Sequence, residues 1–154
     1  MNDITDLQAG IAGEHLVCAD LLSKGFRAFK TEQICPYDIA AEINGKLVKI
    51  QVKTTRETRA VPQRKGHLSA YMWHVRRAGK GGKRVYAENE FDLLALVALD
   101  IKKIAYLPPS KHRQTIHIRS HEDAGGRSLN GSGKHGKTFS MYTVEEAIRE
   151  VLSG

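Results

Sequence analysis

Asn44-Gly45 separates two stretches of largely alternating apolar and polar residues, DIAAEI and KLVKIQVKTT, within residues 38–55. Asn-Gly is the favoured centre of a two-residue type I′ hairpin turn, because both positions need positive φ. A turn of this kind fixes the register of both strands, and a one-residue slip would turn every side chain to the wrong face. With Ile43 opposite Lys46, the pairs Ile39–Ile50, Ala41–Val48 and Tyr37–Val52 are predicted to form one apolar face. The same register puts Asp38 opposite Gln51, with Cβ atoms about 4.5–5.5 Å apart. Lys53 follows two residues later on that face. A carboxylate, an amide and an ammonium are therefore expected to converge at the open end of a half-buried hairpin.

Those three groups suit phosphate chemistry. Asp38 offers a hard oxygen and Gln51 a neutral carbonyl oxygen, the ligand types that Mg²⁺ prefers while keeping several waters. Lys53 can orient water or stabilise negative charge. The chemistry implied is metal-assisted hydrolysis. One carboxylate makes a thin site, so a further acid is expected from elsewhere, and Glu14 is the candidate. The plainer alternative is an Asp38–Lys53 ion pair at a sheet end with Gln51 exposed, since D-x12-Q-x-K arises often by chance.

Charge distribution sharpens the choice. The 154 residues carry a formal charge of +7. Residues 53–84 hold ten basic side chains against the single acid Glu57, so this segment carries +9 and the remainder −2. A block this one-sided favours a polyanionic partner. Nucleic acid is the expected partner, although other readings of such a block stay open, and Arg56, Arg59, Arg64, Lys65, Arg76, Arg77, Lys80, Lys83 and Arg84 would supply the contacts. No stretch is apolar enough to span a bilayer, and the polar start MNDITDLQ lacks secretory-signal features, so no membrane partner and a cytoplasmic location are expected. Cys18 and Cys35 have no CxxC spacing and are expected to be reduced thiols.

The rest of the chain gives an outline. Thr5-Asp6-Leu7-Gln8 has capping-box spacing and opens a helix that should end at Gly25. Ile4, Leu7, Ile11, Cys18 and Leu22 supply its expected apolar face. Gly10 and Gly13 weaken that helix unless close packing needs them. Strands are expected at residues 26–30, 67–75, 91–99, 104–108 and 115–119, and Thr143 caps a last helix. The fold class is α+β (mixed α/β) with a mostly antiparallel sheet. The 154 residues read as one domain: a core over about 5–110, a basic insertion over about 56–85, and an extension from 111.

GE in the first helix, then YD, a hairpin and QVK resemble the helix Glu, the PD and the (D/E)xK of the PD-(D/E)XK nuclease superfamily. GEHLVCADLLSKGF, PYDIAAEINGKLVKIQVKTT and RVYAENEFDLLALVALDIKKIAYLPPS together are similar to its small intron-associated homing endonucleases of bacteria and phages. The likeness covers roughly residues 10 to 110. It implies a restriction-endonuclease-like core with a central mixed sheet flanked by helices, Mg²⁺-dependent cleavage of DNA, and a homodimer or homotetramer. Glu14 and Asp38 would be metal-binding acids, Gln51 the third ligand and Lys53 the catalytic lysine. Tyr37 stands where a strict PD has proline, and Gln51 replaces an acid, which removes one negative charge. Two other readings stay open: a Holliday-junction resolvase of the same fold, and a catalytically silent DNA-binding module.

Weaker signals point elsewhere. GSGKHGKT, residues 131–138, matches a phosphate-loop pattern but lacks the preceding strand and following helix, so no nucleotide cofactor is expected. Its Lys134 and Lys137 could touch DNA phosphates. His112, His117 and His121 match no zinc spacing. Tyr71 and Trp73 share a strand face and could stack on bases or pack in a core. Asp92 could stand near the site or cap a strand.

Overall fold

The computed structural model describes residues 3–59, 70–75, 77–79, 82–84, 90–109, 115–119 and 137–153, and only the backbone of 77–79 and 82–84. Helix α1 (Asp6–Ser23) begins at a complete capping box: Gln8 N donates to Thr5 Oγ1 and Thr5 N donates to Gln8 Oε1. It ends where Gly25 takes φ +87°, a conformation that L side chains avoid. Strand β1 (Arg27–Lys30) leads into the predicted hairpin of β2 (Ile39–Ile43) and β3 (Lys46–Thr55). Asn44 and Gly45 both have positive φ, 50° and 76°, and Ile43 faces Lys46. The turn chemistry therefore sets the register as expected.

Strands β4 (Ala70–His74), β5 (Arg77–Gly79) and β6 (Gly82–Arg84) precede the apolar strand β7 (Leu93–Ala98), which is buried along its whole length. Strand β8 (Lys103–Leu107) returns antiparallel to β7. The main sheet has the order β1-β2-β3-β7-β8. Its central pair, β3 with β7, is parallel, and the other neighbours run antiparallel. A parallel pair needs a long crossover, and residues 56–92 supply it. Strand β9 (Thr115–Arg119) pairs with β4 in a separate ribbon, and β5 pairs with β6. After a short 3-10 helix at Phe139–Met141 comes helix α2 (Val144–Leu152), capped by Thr143 Oγ1. The mixed five-stranded sheet with flanking helices agrees with the α+β expectation.

The sheet is covered on both faces. On one, Val17 and Leu21 of α1 and Val144, Ala147 and Ile148 of α2 pack on Ile39, Ile50, Val52, Leu93, Ala95 and Val97. On the other, Tyr71 and Trp73 of β4, Ile116 and Ile118 of β9, and Phe139 pack on Leu94, Leu96 and Ala98. Tyr71 and Trp73 are each 2% exposed, and Trp73 Nε1 donates to Val97 O at 3.1 Å, so both belong to the core and not to a base-stacking surface.

Two face assignments differ from expectation. Helix α1 buries Ala9, Gly13, Val17 and Leu21, while Ile4, Leu7, Ile11 and Leu22 stay exposed. The reason lies in the approach distance: a Cβ on Gly13 would come within 1.8 Å of Thr54 Oγ1 on β3. A helix this close to β3 at Gly13 needs small residues there, so the buried face is the one that runs through Ala9 and Gly13 and continues with Val17 and Leu21. Tyr37 also departs from the Ile39–Ile50 face. It packs with the β4–β9 side, its ring centroid 6.0 Å from Lys49 Nζ. The β2 ladder begins only at Ile39, and Tyr37 O accepts a bond from Thr31 Oγ1, so strand alternation does not extend back to it.

Candidate active site

Asp38 stands immediately before β2, where the hairpin opens. Its backbone is fixed on both sides: Asp38 N donates to Ile50 O, and Thr31 N donates to Asp38 O, both at 3.0 Å. Its carboxylate does what a further ladder bond would do. Asp38 Oδ2 accepts from Val52 N at 2.8 Å and from Gln51 Nε2 at 2.7 Å. Gln51 is 8% exposed, so the reading of it as a merely exposed neighbour fails. Because its amide nitrogen is turned to Asp38, its carbonyl oxygen is the atom left to act as a ligand.

Lys53 follows on β3, partly buried, at the register position facing Leu96. Burial pushes its ammonium pKa down, and the negative charge of Asp38 opposes that shift. Burial likewise pushes the Asp38 pKa up; the Val52 bond counters it, the charge of Glu14 adds to it, and the charges of Lys53 and Lys30 reduce it. Three charged groups, Glu14, Lys53 and Lys30, therefore act on this carboxyl.

Glu14 reaches that group from α1. It is not a solvated helix residue: its side chain is 26% exposed and Oε2 lies 3.0 Å from Lys30 Nζ. Gly13, next to it, is what brings this stretch of helix onto β3. The structure thus brings Glu14, Asp38, Gln51 and Lys53 to one end of the sheet, and adds Lys30. In the sequence, RAFK is an ordinary strand end. What could have singled Lys30 out is the β1–β2 register, which places it opposite Ile39, one residue from Asp38.

The donors Glu14, Asp38 and the Gln51 carbonyl fit a hard divalent ion that retains water. Among the described residues no group of three or more His, Cys, Asp or Glu side chains is placed to hold a metal ion, so an ion here would rest on two carboxylates, the Gln51 carbonyl and water. His117 lies exposed on β9, and His112 and His121 are outside the described residues. Asp92 is a strand cap, since its Oδ2 accepts from Lys49 N at 2.8 Å. Lys137 and Thr138 open no α-helix; Thr138 is extended before the 3-10 turn, and residues 131–136, Lys134 among them, lie outside the described residues.

The basic segment is described in part. Arg56 is exposed but engaged within the chain: Nη1 donates to Ile4 O at 2.7 Å and Nη2 lies 3.1 Å from Asp6 Oδ1. Arg59 is exposed beside a bridge to Ala70. Arg77 and Arg84 occupy facing positions of the β5–β6 pair, and Lys83 faces Ala78. Arg64, Lys65, Arg76 and Lys80 lie outside the described residues.

A similar fold occurs in a solved nuclease structure. The chain aligns over 97% of its length with 95% of a bacterial homing endonuclease, I-Ssp6803I, at 16% identity and a TM-score of 0.67. It also aligns over 72% of its length with 84% of Hjc, a Holliday junction resolvase from Archaeoglobus fulgidus, at 16% identity and a TM-score of 0.42. None of the curated proteins matches it in sequence. The sequence model of the PD-(D/E)XK endonucleases matches residues 5–132, well over half of the chain, and the protein belongs to that family.

Proposed function

We propose that this family member is a Mg²⁺-dependent endonuclease that hydrolyses phosphodiester bonds in double-stranded DNA, in the manner of a homing endonuclease, as a homodimer or homotetramer. The observation that carries the reading is the Asp38 carboxylate held by Val52 N and Gln51 Nε2 while sharing its field with Glu14 and Lys53. Glu14 and Asp38 would bind the ion through carboxylate oxygens, and Gln51 through its carbonyl. When bound, such an ion polarises the phosphoryl group and acidifies water. Gln51 also holds Asp38 in orientation. Lys53 stabilises the negative charge that builds on the phosphoryl oxygens, and its half-buried place strengthens that interaction. Arg59, Arg77, Lys83 and Arg84, with the remaining basic residues of the segment, bind the DNA backbone. Each protomer offers one site, so a symmetric assembly would be needed to cut both strands.

The test is incubation of the wild-type protein, Asp38→Ala and Lys53→Ala with linear, supercoiled and four-way DNA in the presence and absence of Mg²⁺. Expected are cleavage of duplex DNA by the wild type, dependence on Mg²⁺, and a loss of roughly 100-fold or more in either variant. Cutting confined to the four-way substrate would replace the homing reading with junction resolution. Equal inertness of all three proteins, with salt-sensitive DNA binding retained, would make this a silent binding module.

A further inference from the structure

Glu14 is paired with a cation of the chain itself. Lys30 Nζ lies 3.0 Å from Glu14 Oε2, and the two side chains are only 32% and 26% exposed. The pair joins two elements, the last residue of β1 and the middle of α1. Lys30 faces Ile39 in the register, so it stands beside Asp38, and its positive charge is felt at that carboxylate as the negative charge of Glu14 is. Two carboxylates in one partly buried site repel each other, and a cation between their fields relieves that repulsion. This pair is more enclosed than the solvated surface pairs that contribute little. It also occupies an oxygen of a proposed metal ligand.

We propose that Lys30 is a positioning residue that serves as a stand-in cation: its ammonium holds Glu14 in the metal-free site and is exchanged for the divalent ion on loading. This rests on Glu14 being a metal ligand, as in the nuclease reading above. An ammonium has three donors and no acceptor, so at hydrogen-bond distance it competes with the ion for the same lone pair. A lysine suits exchange because its four-carbon stem is flexible and its contact is a point charge, not the fixed fork of an arginine. It can withdraw without backbone movement. The arrangement keeps Glu14 oriented towards Asp38 before loading and sets the metal affinity below what the bare carboxylates would give.

The experiment measures Mn²⁺ binding by calorimetry and electron paramagnetic resonance on the full chain without DNA. The proteins are wild type, Lys30→Met, Lys30→Gln, Lys30→Arg and Glu14→Gln. Removing the competing charge in Lys30→Met, or in Lys30→Gln should the methionine variant not fold, is expected to tighten Mn²⁺ binding on the order of 3–10-fold. Lys30→Arg, which keeps the charge, binds no tighter than wild type. The neutral variants melt at lower temperature without metal, and saturating Mn²⁺ narrows the gap. A simple structural role would not tighten binding. Unchanged or weaker Mn²⁺ affinity in the neutral variants, with Glu14→Gln weakened, overturns the exchange and leaves the nuclease reading intact. Wild-type binding that Glu14→Gln does not alter removes Glu14 from the site and overturns the exchange together with the Glu14 ligand assignment it rests on, while the Asp38→Ala and Lys53→Ala cleavage assays decide the nuclease reading separately.

Discussion

At Asp38, burial and hydrogen bonding pull in opposite directions. Its folded pKa lies above the ordinary 3.8, so the folded chain takes up the proton more readily than the unfolded one. The stability it contributes is therefore full below that ordinary value and is lost as the pH rises through the folded one. At neutral pH the ionised group is a net cost to the metal-free protein. Asp38→Asn should raise the melting temperature at pH 7 by roughly a few degrees, while abolishing cleavage. The gain should shrink as the pH falls towards 4, and thermal denaturation across that range checks it; a melting temperature lower than wild type at pH 7 would refute it. Gln51 is the complementary case. Gln51→Glu would set two carboxylates where a 2.7 Å hydrogen bond now stands. The metal-free variant should lose about 1–3 kcal/mol, and Mg²⁺ should stabilise it more than it stabilises wild type. Denaturant titrations with and without Mg²⁺ measure both effects. Each of these residues could be named from the hairpin alone, whereas their hydrogen-bond directions could not, because a spacing says nothing of which oxygen faces which donor.

Helix α1 shows where an element's sequence pattern misleads. Its caps were legible, since Thr5, Gln8 and Gly25 act through local chemistry. Its buried face was not. Large apolar residues at Ile4, Leu7, Ile11 and Leu22 outweigh Ala9 and Gly13 in any count of hydrophobicity, yet the buried face runs through Ala9 and Gly13 to Val17 and Leu21. Close approach is the deciding physical factor, and it depends on Thr54, far away in the chain. The two glycines should consequently respond in opposite ways. Gly13→Ala should destabilise the protein by about 1–3 kcal/mol through overpacking against Thr54, and should weaken cleavage by displacing Glu14. Gly10→Ala, where a new Cβ meets nothing within 4 Å, should instead stabilise by about 0.5–1 kcal/mol. Chemical denaturation of the two variants separates them. A stable Gly13→Ala protein would show that the helix can shift at little cost.

For the molecule as a whole, the β3–β7 parallel pair is decisive, because it forces the basic residues into a crossover between two central strands. The positive segment is thereby tied to the strand that carries Gln51 and Lys53. If Arg77 and Arg84 each contact a phosphate, replacing both with alanine should lower the salt slope of DNA binding by about 2 and weaken all sequences alike. Binding isotherms between low and high salt test this; an unchanged slope would place the DNA elsewhere. Arg56 is expected to contribute less, since it already clasps Ile4 O and Asp6. By itself the sequence determined the hairpin, its register and the meeting of Asp38 with Gln51 and Lys53. All of these follow from one turn and the two-residue repeat of a strand. Only the tertiary structure decided that Glu14 joins them, that Lys30 holds Glu14, and that Tyr71 and Trp73 are core. Those contacts link residues from different elements, and their geometry comes from how closely a helix and a ribbon can pack on the two faces of one sheet.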